Sequence, residues 1–237
     1  MPVGLGEQES DALMGGYYIR TYEDKDYEAA RAIFSEGIRA FAPVGVRHLL
    51  SHPQTHLLLL GVFLLAYVAT GSVLFSLGAV SALVALGCNR AKAIWFDYVQ
   101  DALLGDMLDI RSSYLEQKDC SFWVVVDHSQ EVVGTVAITY PEEPSLQGRA
   151  LELKRLSVGK GHRGRGLAKA LTQTVLCFAQ ERGYKEVVLG TSMVQQAAQL
   201  LYESMGFRKV QVLSPSLLCK LLHFYVYIYS YEIPKSQ

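Results

Sequence analysis

A glycine-rich, basic stretch is the part of the sequence best suited to chemistry. From Val158 to Leu171 it reads VGKGHRGRGLAKAL, between a predicted strand and a predicted helix. Such a turn directs unpaired backbone N–H groups and the positive end of a helix dipole at an anion, and its glycines let phosphates approach the backbone. The basic side chains nearby, which suit a pyrophosphate and a further phosphate, are Lys154, Arg155, Lys160, Arg163 and Arg165. The stretch is therefore interpreted as a phosphate-binding loop.

Three nucleotide-binding motifs compete for this loop. A P-loop needs a lysine after its last glycine, but Leu167 follows Gly166. The run from Gly159 to Gly164 satisfies the dinucleotide pattern GxGxxG, but that fold requires an acidic residue at the end of the next strand. Glu186 instead opens that strand, and the strands before the loop are predicted to be antiparallel. The third motif fits best.

The segment from Arg163 to Ala168 matches the pattern [QR]xxGx[GA] that GNAT acetyltransferases use to hold the CoA pyrophosphate. A second block, from Ala198 to Phe207, resembles the AxxLYxxxGF of the same family, and the opening IRTYEDKDYEAARAIF resembles that family's first strand and helix. The chain is thus identified as a member of the GNAT superfamily by resemblance. The resemblance covers residues 17–42 and 93–233, which would form one split acetyltransferase domain.

The resemblance implies acetyl-CoA as cosubstrate. It assigns contacts with the pantetheine arm and thioester to the end of the strand before the loop, and contacts with the pyrophosphate to the loop itself. Gln195 stands where the superfamily often has an asparagine that contacts CoA. The predicted cosubstrate-binding residues are Leu156, Ser157, Val158, Arg163, Gly164, Arg165, Gly166, Leu167, Ala168 and Gln195.

Two residues are predicted to be catalytic. Tyr202 resembles the family's tyrosine that protonates the departing CoA thiolate, since a phenol with a pKa near 10 can donate to a slightly less basic thiolate. Glu152 lies eleven residues before Arg163, where several family members carry a glutamate that deprotonates the amine. The alternatives are a packing role for Tyr202 and a solvated sheet-face charge for Glu152. His162 has a suitable pKa for a base, but its place in the loop favours an anion contact or exposure.

The remaining patterns predict alternating strands and helices. Both hairpin and crossover connections are expected, which indicates an α+β fold with a mixed, largely antiparallel sheet flanked by helices. The predicted strands are 17–21, 121–127, 132–140, 150–158, 186–191, 208–213 and 224–233, and the predicted helices are 27–38, 95–115, 167–182 and 195–205.

An apolar insert interrupts this domain. No Lys, Arg, Asp or Glu lies between Arg47 and Arg90, and residues 57–88 are almost wholly apolar. Such a run exceeds the roughly 18 apolar residues that mark a membrane span, whereas a buried core helix is rarely apolar on every face. Residues 55–89 are therefore predicted to form a membrane hairpin that bends at Thr70, Gly71 and Ser72, with both ends on the cytosolic side because positive charge flanks it.

Composition limits the other possibilities. The net charge of −1 over 237 residues gives no indication of nucleic-acid binding. The four cysteines are widely spaced, without the pattern of a metal site, so reduced thiols and no metal are expected. The first ten residues lack the basic and apolar regions of a cleaved signal peptide, which favours a cytosolic catalytic domain.

With its apolar insert, the chain is most similar to the camello-type branch of the superfamily, which includes enzymes that acetylate cysteine S-conjugates at the endoplasmic reticulum. The resemblance implies that substrate, an amino-acid amine, together with a lipid membrane as partner. Acetylation of protein lysine or of aspartate remains open, as does a non-catalytic acyl-CoA-binding adaptor. The sequence does not determine the oligomeric state.

Overall fold

The computed structural model describes residues 15–214, 219–220 and 224–234. The prediction about a signal peptide concerns residues outside this range. The helices are α1 (Tyr27–Arg39), α2 (Ala42–Ser51), α3 (Pro53–Thr70), α4 (Val73–Leu104), α5 (Leu167–Glu181) and α6 (Gln196–Ser204). The strands are β1 (Tyr18–Thr21), β2 (Ser121–Val126), β3 (Val132–Thr139), β4 (Ala150–Val158), β5 (Glu186–Ser192), β6 (Arg208–Leu213) and β7 (Val226–Glu232).

The strands form a seven-stranded sheet in the order β1-β2-β3-β4-β5-β7-β6. The pairs are antiparallel except for β4 and β5, which run parallel with Ala150 opposite Glu186 and Glu152 opposite Val188. The expected α+β fold with a mixed, largely antiparallel sheet is confirmed.

Each face of the sheet is covered by a separate apolar cluster. On one face, α5 places Leu167, Leu171 and Val175 against β2, β3 and β4, because these residues recur every fourth position and share one side of the helix. On the other face, α1 contributes Ala30, Phe34 and Ile38 by the same spacing, and the last part of α4 packs beside them. Strand β4 lies in the middle of the sheet and is covered on both faces.

The apolar insert forms a helical hairpin. Helix α3 ends at Gly71, which adopts a left-handed φ of 68°, and Ser72 caps α4 by accepting a hydrogen bond from the Phe75 N–H. The bend therefore lies where the sequence predicted it. No residue of α3 is buried, and Leu65 and Val68 are 74% and 84% exposed. By length and composition alone, α3 and α4 are able to cross a membrane, with mean hydropathies of 1.5 and 1.6.

The predicted helix at residues 95–115 is wrong at both ends. Nothing between Cys88 and Trp95 breaks a helix, so the segment is the last part of the 32-residue α4. The helix ends at Leu104, where the backbone of the C-cap residue Gly105 leaves the helical region with φ of −94° and ψ of −120°, and a separate π-helical turn covers Arg111–Leu115. Helix α2, which begins with Pro43 in its first turn, was not predicted.

Candidate active site

An opening in the middle of the sheet separates two strands that start as neighbours. Strands β4 and β5 are paired over Ala150–Glu152 and 186–188, and no further pairs join them in the described part of the chain. Strand β5 then follows β7 as far as Ser192, while β4 follows β3. The two strands therefore diverge beyond Glu152 and leave a gap between them.

A β-bulge lies on the β4 side of this gap. The β3–β4 register shifts between Thr135 and Ala137, and Arg155 adopts a left-handed φ of 57°. The Thr135 hydroxyl donates to the Arg155 carbonyl oxygen at 2.8 Å and so holds the distorted strand. A bulge leaves a residue unpaired in the ladder, which makes backbone groups available next to the gap. The predicted thioester-binding residues 156–158 follow directly, with Ser157 buried.

The phosphate-binding loop connects β4 to α5 as predicted. Gly164 and Gly166 have φ of 76° and 82°, a conformation that glycine adopts without strain. Gly166 is the N-cap of α5 and provides no side-chain cap, so the first N–H groups of the helix lack an intrahelical acceptor. A Cβ at Gly161 or Gly164 would meet nothing within 4 Å. The loop therefore presents open, donor-rich backbone to an anion.

Three side chains of the loop hold it in place through hydrogen bonds with the end of β4 and with Tyr17. Arg163 Nε donates to the Val158 carbonyl oxygen at 2.9 Å, and Arg165 donates to the Tyr17 hydroxyl at 2.6 Å. His162 Nδ1 lies 3.0 Å from the same hydroxyl, so His162 anchors the loop on Tyr17.

Two of the five basic side chains assigned to the loop's surroundings lie elsewhere. Arg155 forms a bidentate ion pair with Asp106, and Lys154 is bound to Glu142 and Glu152. Both side chains lie on the face of β4 that α1 covers, and not on the face that α5 covers. Lys154 reaches that face because strand residues alternate between faces, and the bulge turns Arg155 toward it. The prediction that they surround a phosphate is wrong.

Glu152 lies at the point where β4 and β5 separate. Its side chain is 21% exposed, and its Oε2 is 3.4 Å from Lys154 Nζ. Burial raises the pKa of the Glu152 carboxyl above its ordinary value, and the opposing effect of Lys154 is smaller. Such a carboxylate is a better base than a solvated one. The environment differs from that of a solvated sheet-face charge, although the catalytic role stays a prediction.

Tyr202 lies on α6 and belongs to the apolar cluster on the α5 side of the sheet. It is 5% exposed, and its ring packs against Phe207 and Tyr229 at centroid distances of 5.5 and 6.2 Å. Burial raises the pKa of its phenol, and an electrostatic interaction with Tyr98 of α4 adds to the rise. Tyr98 lies on the other face of the sheet, where its ring centroid is 6.2 Å from that of Phe34. Tyr202 is thus both a packing residue and a neutral phenol, and its catalytic role stays a prediction.

Gln195 organises the connection from β5 to α6. Its Oε1 accepts from the Ser192 N–H at 2.9 Å, from the Ser192 hydroxyl at 2.9 Å and from the Thr191 hydroxyl at 3.2 Å. The Gln195 amide oxygen is therefore already hydrogen-bonded within the protein. The predicted contact with CoA would have to come from the amide nitrogen.

A polar pocket on the α1 side of the sheet was not predicted. It has a volume of about 460 Å³ and lies between α4, the turn after it, β3 and β4. Its floor is the Asp106–Arg155 pair, to which Tyr98 and Tyr114 are hydrogen-bonded. No local sequence pattern marks these residues, because Asp106 and Arg155 are 49 positions apart. Within the described residues, no group of three or more His, Cys, Asp or Glu is placed to hold a metal ion.

Comparison with known proteins shows the family of this chain. The sequence model of the acetyltransferase (GNAT) family matches residues 89–207. N-acetyltransferase 8 of Rattus norvegicus is 40% identical over 94% of this chain and 100% of its own length, and N-acetyltransferase 8B of Homo sapiens is 40% identical over 94% and 98%. N-acetyltransferase 8F1 of Mus musculus is 43% identical over 81% of this chain and 86% of its own length.

Solved structures share the fold. A GNAT-family acetyltransferase from Staphylococcus aureus Mu50 has a TM-score of 0.54 at 17% identity, and covers 92% of this chain and 99% of its own. A putative phosphinothricin N-acetyltransferase has a TM-score of 0.55 at 14% identity, with the same coverage. The chain therefore belongs to the GNAT acetyltransferase family, alongside the N-acetyltransferase 8 proteins, and it is an acetyltransferase.

Proposed function

We propose that the protein transfers the acetyl group of acetyl-CoA to the α-amine of an amino acid, and that the acceptor is a cysteine S-conjugate, which would yield a mercapturate. The observation that carries this proposal is the gap between β4 and β5. The glycine-rich loop lies at one end of it, and a buried phenol and a half-buried carboxylate lie on opposite faces of the sheet.

The loop and the gap fit acetyl-CoA as substrate. The uncapped N-terminus of α5 and the open glycines would bind the pyrophosphate, and the bulged end of β4 would bind the pantetheine arm and thioester. Backbone N–H groups next to the bulge would stabilise negative charge on the thioester oxygen as it develops.

The acceptor would enter from the pocket side, where Glu152 takes a proton from its ammonium group. The neutral nitrogen attacks the acetyl carbon, and the C–S bond breaks as the amide forms. Tyr202 donates its proton to the departing thiolate, the nitrogen's second proton restores the phenol, and the proton on Glu152 returns to solvent. Overall, one thiol and one proton are released for each amide formed.

The exposed hairpin supports a membrane location. Cysteine S-conjugates with apolar thioether groups partition toward lipid, so an enzyme anchored beside the bilayer meets them at raised concentration. We place the protein in the endoplasmic reticulum membrane, with the catalytic domain in the cytosol, where acetyl-CoA is supplied.

Thiol release from acetyl-CoA by the purified full-length protein tests the proposal. S-Benzylcysteine, a lysine-containing peptide and aspartate are offered separately, with a reaction lacking acceptor as the background. We expect thiol release with S-benzylcysteine to exceed that with the other two acceptors. Faster release with the peptide or with aspartate would reassign the acceptor, and binding of acetyl-CoA without release would make the protein an adaptor.

A further inference from the structure

The polar pocket on the α1 side contains two cations in different situations. Arg155 is already paired within the protein, and its side chain is only 8% exposed. Its Nε and Nη2 donate to the two Asp106 carboxylate oxygens at 2.9 and 2.5 Å, and its Nη1 donates to the Tyr98 hydroxyl at 3.1 Å. Its guanidinium also lies over the Phe34 ring, 4.9 Å from the centroid. Arg155 therefore has no free face for a ligand.

Lys154 is held more loosely. Its Nζ lies 2.9 Å from Glu142 Oε1 and 3.4 Å from Glu152 Oε2, and its side chain is 22% exposed. Glu142 belongs to the loop after β3, and its side chain is 89% exposed. An ion pair with so exposed a partner is weak, because water solvates the released carboxylate. The Lys154–Glu142 contact can thus be exchanged for another carboxylate at little cost.

Glu152 and Lys154 place opposite charges side by side. They are two positions apart on β4 and so point to the same face of the sheet, next to the gap where the acetyl group is expected. Burial lowers the pKa of Lys154, but the two carboxylates outweigh it and raise the pKa above its ordinary value, so the side chain is charged at neutral pH. An α-amino acid presents the complementary pair, an ammonium and a carboxylate on one carbon.

We infer that Lys154 binds the α-carboxylate of the acceptor while Glu152 binds its α-ammonium, and that the arriving carboxylate displaces Glu142 from Lys154. The inference rests on the proposed function and makes it more specific, since it explains why an α-amine would be acetylated in preference to an amine without a neighbouring carboxylate. Glu142 acts as an internal competitor that occupies Lys154 until the acceptor binds.

The test compares S-benzylcysteine with S-benzylcysteinamide, which lacks the carboxylate, in the wild-type protein and three variants. The acid-to-amide ratio of kcat/KM is expected to be about 10- to 100-fold higher in the wild type than in Lys154→Met, the range for one hydrogen bond between charged groups. Lys154→Met should lower the ratio through a higher KM for the acid, and Lys154→Arg should retain part of the difference. Glu142→Gln should lower the KM for the acid and leave that for the amide unchanged.

The amine of S-benzylcysteinamide loses its proton more readily than the amine of the acid, so the chemical step alone favours the amide. The acid-to-amide ratio is therefore compared between the wild type and each variant. An acid-to-amide ratio that is the same in the wild type and in Lys154→Met would overturn the inference and leave the proposed function intact. If neither compound is acetylated, the proposed acceptor is wrong and the inference falls with it.

Acetyl-CoA affinity by calorimetry serves as the folding control for each variant. If Lys154→Met fails to bind acetyl-CoA, the acid-to-amide ratio in Lys154→Arg and the KM shift in Glu142→Gln still decide the matter.

Discussion

Tyr202 combines a packed ring with an ionisable hydroxyl, and the two functions can be separated by removing one oxygen. The ring contacts with Phe207 and Tyr229 do not require the hydroxyl. Tyr202→Phe should therefore preserve folding and acetyl-CoA binding while lowering kcat by roughly 10²-fold, the scale of general acid catalysis. Steady-state thiol release together with calorimetry measures both quantities. An unchanged kcat in this variant would show that Tyr202 contributes only to packing.

Glu152 should determine the acidic limb of the pH–rate profile. Its pKa is raised chiefly by burial, so the carboxylate needed as base is lost as the pH falls through this raised value. Glu152→Gln should reduce the rate most at neutral pH, and less at high pH, where the amine is already neutral. The profile of kcat/KM against pH measures this. Parallel profiles for wild type and variant would exclude Glu152 as the base.

At the scale of elements, the loop and α5 are proposed to bind the pyrophosphate of acetyl-CoA together. Gly166→Glu places a negative side chain at the helix N-terminus against the pyrophosphate, and it strains a residue with φ of 82°. Acetyl-CoA binding should fall at least about 10²-fold in calorimetry, since a like charge replaces an attractive site.

A matched control for this substitution lies just beyond the other end of the same helix. Gly183 has φ of 77° and open space around it, so Gly183→Glu introduces similar strain and charge away from the loop. This variant should bind acetyl-CoA normally. Equal loss of binding in both variants would indicate that strain, and not the pyrophosphate contact, explains the effect.

The Asp106–Arg155 pair ties the turn after α4 to the bulge of β4. Asp106→Asn would leave the largely buried guanidinium of Arg155 without its charged partner. Because the Asp106 side chain is 28% exposed, we expect a loss of about 2–3 kcal/mol, below the range for fully buried pairs. Asp97→Asn, an exposed change on α4, should stay within about 0.5 kcal/mol. Urea unfolding in detergent at pH 7 compares the two.

The contribution of this pair also depends on pH in a defined direction. Burial raises the pKa of Asp106, but the hydrogen bonds and charge of Arg155 outweigh it, so the folded-state pKa is lower than the unfolded one. The stabilisation is complete above the unfolded pKa of about 3.9 and is lost as the pH falls through the folded value. Wild type and Asp106→Asn should therefore converge in stability only at acid pH. A constant difference would assign the loss to something other than this ionisation.

At the scale of the whole molecule, the sequence predicted the sheet and the loop because both depend on local patterns. The apolar runs of β2 and β3, the alternation in β4 and the glycines at 164 and 166 are each visible within a few residues. The pocket was missed because its floor joins residues from α4, the following turn and β4, which only the folded sheet brings together. Lys154 and Arg155 were misplaced for the same reason, since their partners are distant in sequence.

The hairpin determines how the two parts of the acetyltransferase domain lie relative to a membrane. Strand β1, before the hairpin, pairs with β2, after it, so both must be on one side. Helix α3 has 18 residues and would span about 27 Å, close to the roughly 30 Å hydrocarbon core, and α4 returns from the bend and continues without a break into the domain. A single crossing is incompatible with the sheet.

Cysteine-accessibility labelling in intact microsomes tests this topology. Single cysteines replace exposed Glu23, exposed Ser129 and Ser72 at the bend, in a background where Cys88, Cys120, Cys177 and Cys219 are substituted and activity is retained. Positions 23 and 129 should react with an impermeant maleimide without detergent, because Arg47 and Arg90 at the two ends of the insert favour the cytosol. Position 72 should react only after permeabilisation. Opposite-side labelling of 23 and 129 would refute the hairpin, and protection of both until permeabilisation would reverse its orientation.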